Sequence, residues 1–171
     1  MPITGISQPN ILPVNGMLRL HSFEAIPDCA LGWYQDTETV WLVDGNRVPY
    51  TEKRLNAMYT WLHDHGELYF IEVWEQGTWK PIGDVTFWQE DMPIVIGAPQ
   101  YRGRGIGRKV IAALIQRGRQ LGYDKLYVNE IYDHNIGSRK CFESLGFLAW
   151  EKTEKGNRFI LKLGKQVEHH E

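Results

Sequence analysis

The chain has 171 residues, of which 43% are hydrophobic and 23% are charged, and its formal net charge is −2. This composition predicts one globular domain over residues 1–171 with a core of its own. The slightly acidic balance argues against a nucleic-acid-binding protein, and no apolar run approaches the roughly 18 residues that a membrane span requires.

The N-terminal stretch and the cysteine count predict a cytoplasmic protein. The first residues lack a basic segment followed by an apolar block, so no signal peptide is predicted. Two cysteines, Cys29 and Cys141, are too few for a disulfide framework. The chain also has seven Trp and eight Tyr, which either pack in the core or line an aromatic acceptor pocket.

The N-terminal part of the chain gives a weak pattern of secondary structure. Residues 1–16 are rich in Pro, Asn and Gly and predict an irregular lead-in. Residues 17–23 alternate between apolar and polar side chains, which indicates a strand. Residues 24–36 are predicted to be helical only in part, because Pro27 interrupts them, and residues 37–50 are ambiguous with a turn at DGN.

A clearer helix and a hairpin follow. Residues 51–66 carry an apolar stripe between a capping Thr51 and a terminating Gly66, so they predict a helix. Residues 67–75 and 79–89 flank the sequence QGT and predict the two strands of a hairpin.

The C-terminal part alternates strands and helices. Residues 92–99 are a short apolar run and predict a buried strand, and residues 105–122 have the apolar period of a helix. Residues 123–131 predict a strand, residues 135–146 a short helix, and residues 147–163 two strands around a turn. This order predicts an α/β (α+β) domain built on a single sheet.

The sequence QYRGRGIG, residues 100–107, lies between the short strand and the long helix. Glycines at a helix N-terminus leave backbone N–H groups free to bind a phosphate. A Walker loop is disfavoured, because no Ser or Thr follows Lys109. A dinucleotide-binding loop is disfavoured too, because the glycines are spaced G-x-G-x-G and Asp124 opens a strand instead of closing one.

Two motifs in order resemble those of the GNAT superfamily of acyl-CoA-dependent N-acetyltransferases. Residues 100–105 match Q/R-x-x-G-x-G/A, and residues 135–147 (NIGSRKCFESLGF) match N-x-x-[AS]-x-x-x-[YF]-x-x-x-G-F about 35 residues further on. The resemblance is closest over residues 67–163. It implies a single mixed, mostly antiparallel twisted sheet with helices on both faces, and transfer of an acetyl group to a primary amine in a ternary complex.

The resemblance also implies which residues bind acetyl-CoA. Strand backbone would contact the pantetheine and the acetyl carbonyl, and the loop N–H groups would bind the pyrophosphate. The implied residues are Ile94, Val95 and Ile96 of the strand, Gln100, Tyr101, Arg102, Gly103, Arg104, Gly105, Ile106, Gly107 and Arg108 of the loop and helix start, and Asn129, Asn135, Ser138 and Phe142.

The general acid departs from the family pattern. Many relatives have a tyrosine at the position of Phe142, which has no proton to give. A free thiol has a pKa of about 8.5. The thiolate of coenzyme A would therefore leave unaided or take a proton from water. Cys141 and Tyr132 are the nearby substitutes. The departure keeps open an alternative function, an acyl-CoA-binding sensor or structural module without turnover.

The general base is predicted among acids near the loop. Asp84, Glu90 and Asp91 border the hairpin, and Glu130 ends the next strand. We take Glu130 and Asp84 as candidate bases; as a set, these acids predict a cationic primary amine as acceptor. The competing interpretation is that they are solvated surface acids.

No metal, nucleic acid or membrane partner is predicted. His63 and His65 flank Asp64, but this spacing at a helix end is more typical of the surface than of a metal site. A homodimer is a possible assembly of the domain.

Overall fold

The computed structural model describes residues 1–164, so residues 165–171 of the predicted domain lie outside the described part. Residues 1–164 form eight strands and five α-helices. In chain order these are β1 (Ile11–Asn15), β2 (Leu18–Ser22), α1 (Ala30–Gln35), α2 (Thr37–Asp44), α3 (Glu52–His65), β3 (Glu67–Glu75), β4 (Thr78–Phe87), β5 (Ile94–Ile96), α4 (Ile106–Gln120), β6 (Lys125–Tyr132), α5 (Ile136–Ser144), β7 (Leu148–Lys152) and β8 (Gly156–Lys162).

The strands form two hydrogen-bonded sheets. One has five strands in the order β1-β2-β3-β4-β5, and the other has three in the order β6-β8-β7. All strand pairs in residues 1–164 are antiparallel. The predicted α+β class is confirmed, but the sheet expected to be single and mixed is divided between β5 and β6.

The division has a local cause. The Tyr127 N–H donates to the Gln89 carbonyl oxygen at 2.9 Å, which joins the start of β6 to the segment before β5. Further along, Ile94 of β5 and Val128 of β6 line a cleft, so the two strands lie apart there. Strand β5 therefore forms an edge of the five-stranded sheet.

Helices cover both faces of the five-stranded sheet, as predicted. In β3, Tyr69 and Ile71 pack into a largely aliphatic core with Val110 and Leu114 of α4. The intervening Phe70 packs into a second core beneath α1 and α3. This alternation follows from the two-residue period of side chains along a strand.

The second core is aromatic. Its aromatic members are Trp33, Tyr34, Tyr50, Tyr59 and Phe70. Tyr34 and Tyr59 meet edge to face with 6.2 Å between ring centroids. Core packing therefore accounts for these five aromatic residues.

Several predicted elements are confirmed. The strand over 17–23, the hairpin over 67–75 and 79–89 and the helix over 105–122 differ from the observed elements by only a few residues at each end. Thr51 caps α3 as expected, since its Oγ1 accepts from the Arg54 N–H at 3.2 Å. No helix in residues 1–164 is long and apolar enough to cross a bilayer.

Two N-terminal elements differ from the prediction. Strand β1 lies inside residues 1–16, which were expected to be irregular. Its Pro13 lacks an N–H group, and the strand tolerates it because β1 is the outermost strand of the sheet. Helix α2 occupies the ambiguous residues 37–50. Asp36 caps it by accepting from the Glu38 N–H at 3.1 Å, and Gly45, with φ of 71°, ends it.

Candidate active site

A cleft of about 520 Å³, the larger of two that adjoin, contains the glycine loop. It is formed by β5, the loop that follows it, the N-terminus of α4, helix α5 and one side of α2. The predicted coenzyme-binding residues that line it are Ile94, Val95, Ile96, Tyr101, Arg102, Gly103, Gly105, Ile106, Gly107, Arg108, Asn135, Ser138 and Phe142. Gln100 and Arg104 of the same prediction do not line it, and Asn129 lines a neighbouring cleft.

The glycine loop gives this cleft an end made of backbone. Gly103 and Gly105 have φ values of 72° and 75°, a conformation that glycine adopts without strain. A Cβ at either position would meet nothing within 4 Å, so the glycines are required for backbone conformation and not for space within the protein. Gly105 caps α4 without a side-chain hydrogen bond.

The backbone N–H groups of this loop are available to a ligand. Outside the helix ladder, the N–H groups of residues 103–108 donate to no group of residues 1–164. The first turn of a helix leaves such donors without an intrahelical acceptor, and the helix dipole favours an anion there. The geometry fits a phosphate or pyrophosphate group.

The three loop arginines have different surroundings. The Arg102 guanidinium donates to the Ile96 carbonyl at 2.9 Å, the Thr39 hydroxyl at 2.8 Å and the Gly97 carbonyl at 3.4 Å. It also forms an ion pair with Asp36 at 3.5 Å. Arg104 lies over the Tyr101 ring at 5.3 Å. Arg108 donates through Nε to the hydroxyl of Ser144 at 3.1 Å and also lines the cleft.

A smaller cleft of about 250 Å³ lies beside the larger one. The residues lining both are Leu42, Val43, Ile94, Val95, Asn135, Ser138 and Phe142, so the two spaces adjoin. The charged residues that line the smaller cleft are Asp91 and Glu130, both acidic. An acidic, partly apolar cleft suits a cationic ligand with an apolar portion.

A bulge directs Glu130 into this cleft. The pairing of β6 with β8 shifts register between Val128 and Ile131, which leaves Asn129 and Glu130 unpaired and exposed. β-bulges bend a strand and re-aim its side chains. Both bulge residues line the smaller cleft.

Asp91 has a structural part in the same cleft. Its Oδ1 accepts from the N–H of Met92 at 2.9 Å and of Asn129 at 3.0 Å, and so holds the bulge in place. Burial raises the pKa of the Asp91 carboxyl, while these two hydrogen bonds lower it. Glu90 is exposed and lines neither cleft.

Asp84 lies elsewhere than the prediction placed it. Its side chain is 3% exposed and lines neither cleft. Its Oδ2 accepts from the hydroxyls of Tyr34 at 2.7 Å and Tyr59 at 2.8 Å. Burial raises the pKa of the Asp84 carboxyl to about 6, and the two hydroxyls lower it. The strand alternation turns Asp84 toward the aromatic core, which removes it from the set of acids expected near the acceptor.

Phe142 lies where the two clefts meet. It is 2% exposed and packs edge to face against Phe147, with 5.1 Å between ring centroids. Near it, Cys141 lines the larger cleft and Tyr132 lines the smaller one. Burial raises the pKa of both groups, so each is neutral at physiological pH.

Three residues of α2 and one lysine line the larger cleft but were not predicted from the sequence. These are Thr39, Leu42, Val43 and Lys140. The available signal for α2 was the pair of a capping Asp36 and a terminating Gly45. Lys140 occupies an unspecified position of the 135–147 motif, so the motif gave no indication of it.

No group of three or more His, Cys, Asp or Glu side chains in residues 1–164 is arranged to hold a metal ion. His65, one of the two histidines near Asp64, places its Nδ1 2.7 Å from the Trp61 carbonyl oxygen and its ring against the Trp61 ring. This residue therefore packs on the surface of α3.

Comparison with known proteins identifies the class of this fold. The sequence profile of the acetyltransferase (GNAT) family matches residues 32–147. The chain belongs to that family. A GNAT-family acetyltransferase from Bacillus anthracis has a similar structure, with a TM-score of 0.72 at 11% identity, covering 89% of this chain and 98% of that one.

Two further relatives are informative. The aminoglycoside acetyltransferase AAC(6')-Ib, solved in complex with coenzyme A, superimposes with a TM-score of 0.64 at 16% identity, over 86% of this chain and 94% of that one. An uncharacterised protein of Methanocaldococcus jannaschii, MJ1062, is 33% identical over 93 residues, which are 52% of this chain. The match spans only 18% of the length of that relative.

Proposed function

We propose that the protein transfers an acetyl group from acetyl-CoA to the primary amine of a cationic acceptor, with both substrates bound together. The observation that carries this proposal is the pair of adjoining clefts. One ends at unpaired backbone N–H groups, and the other is lined by acids and by no lysine or arginine. The related fold that was solved with coenzyme A supports it.

The residues of the larger cleft would hold acetyl-CoA. The N–H groups of residues 103–108 would bind the pyrophosphate, and Arg108 and Lys140 add positive charge beside it. Because β5 is a sheet edge, backbone groups on its free side other than the Ile96 carbonyl, which accepts from Arg102, are available to the amides of pantetheine. Acetyl-CoA supplies the acetyl group as a thioester, whose C–S bond breaks as the C–N bond of the amide forms.

Glu130 would act as the general base. An alkylamine is mostly protonated at neutral pH, so the site must take up a proton before the nitrogen can attack. Glu130 is exposed within the smaller cleft and can accept that proton directly or through water. Asp84, enclosed by Tyr34 and Tyr59, has no path to an acceptor in that cleft.

No side chain is required to protonate the leaving thiolate. A thiol titrates near pH 8.5, about two units below an alkylammonium, so the thiolate is a tolerable leaving group in water. Phe142 at the junction supplies shape and excludes water on one side. This accounts for an active enzyme without the tyrosine that the family resemblance implies.

The second candidate is a module that binds acetyl-CoA without turnover, and Phe142 is the observation that favours it. A panel of amines would separate the two. We would measure thiol release from acetyl-CoA with polyamines, aminoglycosides, peptides with free N-termini and neutral amines. Turnover of cationic amines supports the proposal, and turnover confined to neutral or acidic amines contradicts the acceptor assignment.

Binding measurements complete this test. Calorimetry with coenzyme A and with NAD identifies the ligand of the larger cleft. Coenzyme A binding without turnover of any amine supports the binding module. Binding of NAD but not of coenzyme A would contradict both candidates.

A further inference from the structure

Helix α2 forms a wall of both clefts. Leu42 and Val43 line the larger and the smaller cleft, and Thr39 lines the larger one. The helix has only eight residues, Thr37–Asp44, and an isolated helix of this length is not stable in water. Its position over the clefts therefore depends on contacts with the rest of the fold.

Arg102 fixes the N-terminal end of α2. Its Nη2 donates to the Thr39 hydroxyl at 2.8 Å, and its Nη1 lies 3.5 Å from the Asp36 carboxylate. On the other side it bonds the carbonyls of Ile96 at 2.9 Å and Gly97 at 3.4 Å. One side chain thus joins the cap of α2 to the end of β5, from a position on the coenzyme loop.

His134 and Asn135 fix the C-terminal end. The His134 Nε2–H donates to the Trp41 carbonyl oxygen at 2.8 Å, and its ring stacks on the Trp41 ring at 4.1 Å between centroids. The same imidazole stacks on Tyr132 at 5.3 Å. The Asn135 side-chain amide donates to the Leu42 carbonyl oxygen at 3.4 Å.

We propose that Arg102 and His134 are positioning residues of the acceptor cleft, which hold α2 against the junction of the two clefts. The proposal rests on the proposed function for the assignment of the smaller cleft to the acceptor. It gives Arg102 a role different from that of a phosphate ligand. Three of its five N–H groups donate to protein oxygens and its Nη1 is ion-paired with Asp36, so most of the guanidinium is already engaged within the protein.

Arg102→Lys separates these two roles. Lysine keeps a positive charge that a phosphate can use, but a single ammonium cannot bridge the Ile96 carbonyl and the Thr39 hydroxyl. We expect the acceptor KM to rise about tenfold, while the KM for acetyl-CoA changes less than about threefold. Two results would make Arg102 a phosphate ligand and overturn the proposal. In the first, Arg102→Lys raises the KM for acetyl-CoA and leaves the acceptor KM unchanged. In the second, Arg102→Lys equals wild type while Arg102→Gln raises the KM for acetyl-CoA.

Hydrogen exchange gives a measurement that does not depend on turnover. In Arg102→Lys without ligands, we expect the amides of α2 to exchange at least about fivefold faster, while those of α3 keep the wild-type rate. Helix α3 is the internal reference for global destabilisation. Unchanged exchange of the α2 amides overturns this proposal, whether or not the wild-type protein acetylates an amine. If the wild-type protein acetylates no amine, the proposed function fails, and the exchange result still decides the role of Arg102.

His134→Phe is the second variant, because it keeps a stacked ring and removes only the hydrogen bond to Trp41. We expect the same direction in acceptor KM and in α2 exchange, with a smaller effect of about threefold. The matched control is Arg158→Gln, an exposed arginine paired with Glu151 on the three-stranded sheet. If the Arg102→Lys and His134→Phe variants both behave like this control, α2 is held by other contacts and the proposal is wrong.

Discussion

The two clefts are built by different means. The larger cleft takes the end that we propose for phosphate binding from consecutive residues 103–108, through backbone groups in a fixed conformation. The smaller cleft is assembled from α2, the segment before β5 and the bulge of β6. Its wall is held by side-chain hydrogen bonds that span 63 residues from Arg102 to Thr39 and 93 residues from His134 to Trp41.

Under the proposed function, the difference separates a site for one constant ligand, acetyl-CoA, from a site for an acceptor that can vary. Backbone donors have the same chemistry whatever the neighbouring side chains are, so a loop made of them can hold one pyrophosphate reliably. Side-chain bridges change with a single substitution. Variants at Gly105 and at Glu130 each affect one cleft and leave the other as reference.

The largest effect is expected from Gly105→Asp at the coenzyme end. A carboxylate beside the loop N–H groups opposes the pyrophosphate charge, and we expect coenzyme A affinity to fall at least about 300-fold, about 3.4 kcal/mol. Calorimetry with acetyl-CoA measures it. Unchanged affinity in a folded variant would remove the phosphate assignment of the loop.

Gly105→Asn is the matched control. Asparagine has nearly the shape of aspartate and tolerates the left-handed φ of 75° at this position, but it carries no charge. We expect it to weaken coenzyme A binding no more than about fivefold. An equal loss in both variants would mean that backbone strain, and not charge, is responsible.

Glu130→Gln tests the acceptor cleft. If Glu130 is the proposed general base, we expect the substitution to lower kcat by about 100-fold, while acetyl-CoA binding should remain as in the wild type. Steady-state kinetics with the best amine of the panel measures both. Glu90→Gln is the control, because Glu90 is an exposed acid outside both clefts, and it should stay within about twofold of wild type.

Asp84→Asn tests the aromatic core behind the clefts. Burial raises the pKa of Asp84 from 3.8 to about 6, so the folded state holds the proton more tightly than the unfolded state. The resulting stability is present at pH values below 3.8 and is lost as the pH rises through 6. Between pH 7.5 and about pH 4.5, wild type should gain on the order of 2 kcal/mol over the variant.

Urea unfolding of both proteins at the two pH values measures this gain. Titrations elsewhere in the chain affect both proteins equally and cancel in the difference. A difference that is constant with pH would show that Asp84 is equally charged in the folded and unfolded states. Acetyl transfer at neutral pH should change far less in Asp84→Asn than in Glu130→Gln.

The smallest effect is expected at the junction of the clefts. Phe142→Tyr restores the hydroxyl that the family resemblance implies, and we expect the rate to stay within about tenfold, at most about 1.4 kcal/mol of barrier. The reason is that a thiolate leaves without a side-chain acid. Steady-state kinetics on both proteins decides it, and a rise of about 100-fold or more would favour the binding module as the natural function.

The sequence was most informative where structure is set locally. The loop over 100–107 and the capping of α5 by Asn135, whose Oδ1 accepts from the Ser138 N–H at 3.2 Å, depend on residues a few positions apart. The position of Asp84 depends instead on Tyr34 and Tyr59, 50 and 25 residues away. No short pattern encodes such partners, and a polar side chain in a strand gives no sign of which face it occupies.

The attachment of α2 has a consequence for how the substrate range of this protein can change. Leu42 is partly exposed and, with Val43, lines both clefts. Val43 also packs against the aromatic core, whereas Leu42 packs in neither core. Substitutions at these two positions should therefore change the acceptor range and the binding of acetyl-CoA together, because both side chains border both clefts. A single turn of helix thus couples the two substrates, so selection for a new acceptor at these positions would also act on the affinity for acetyl-CoA.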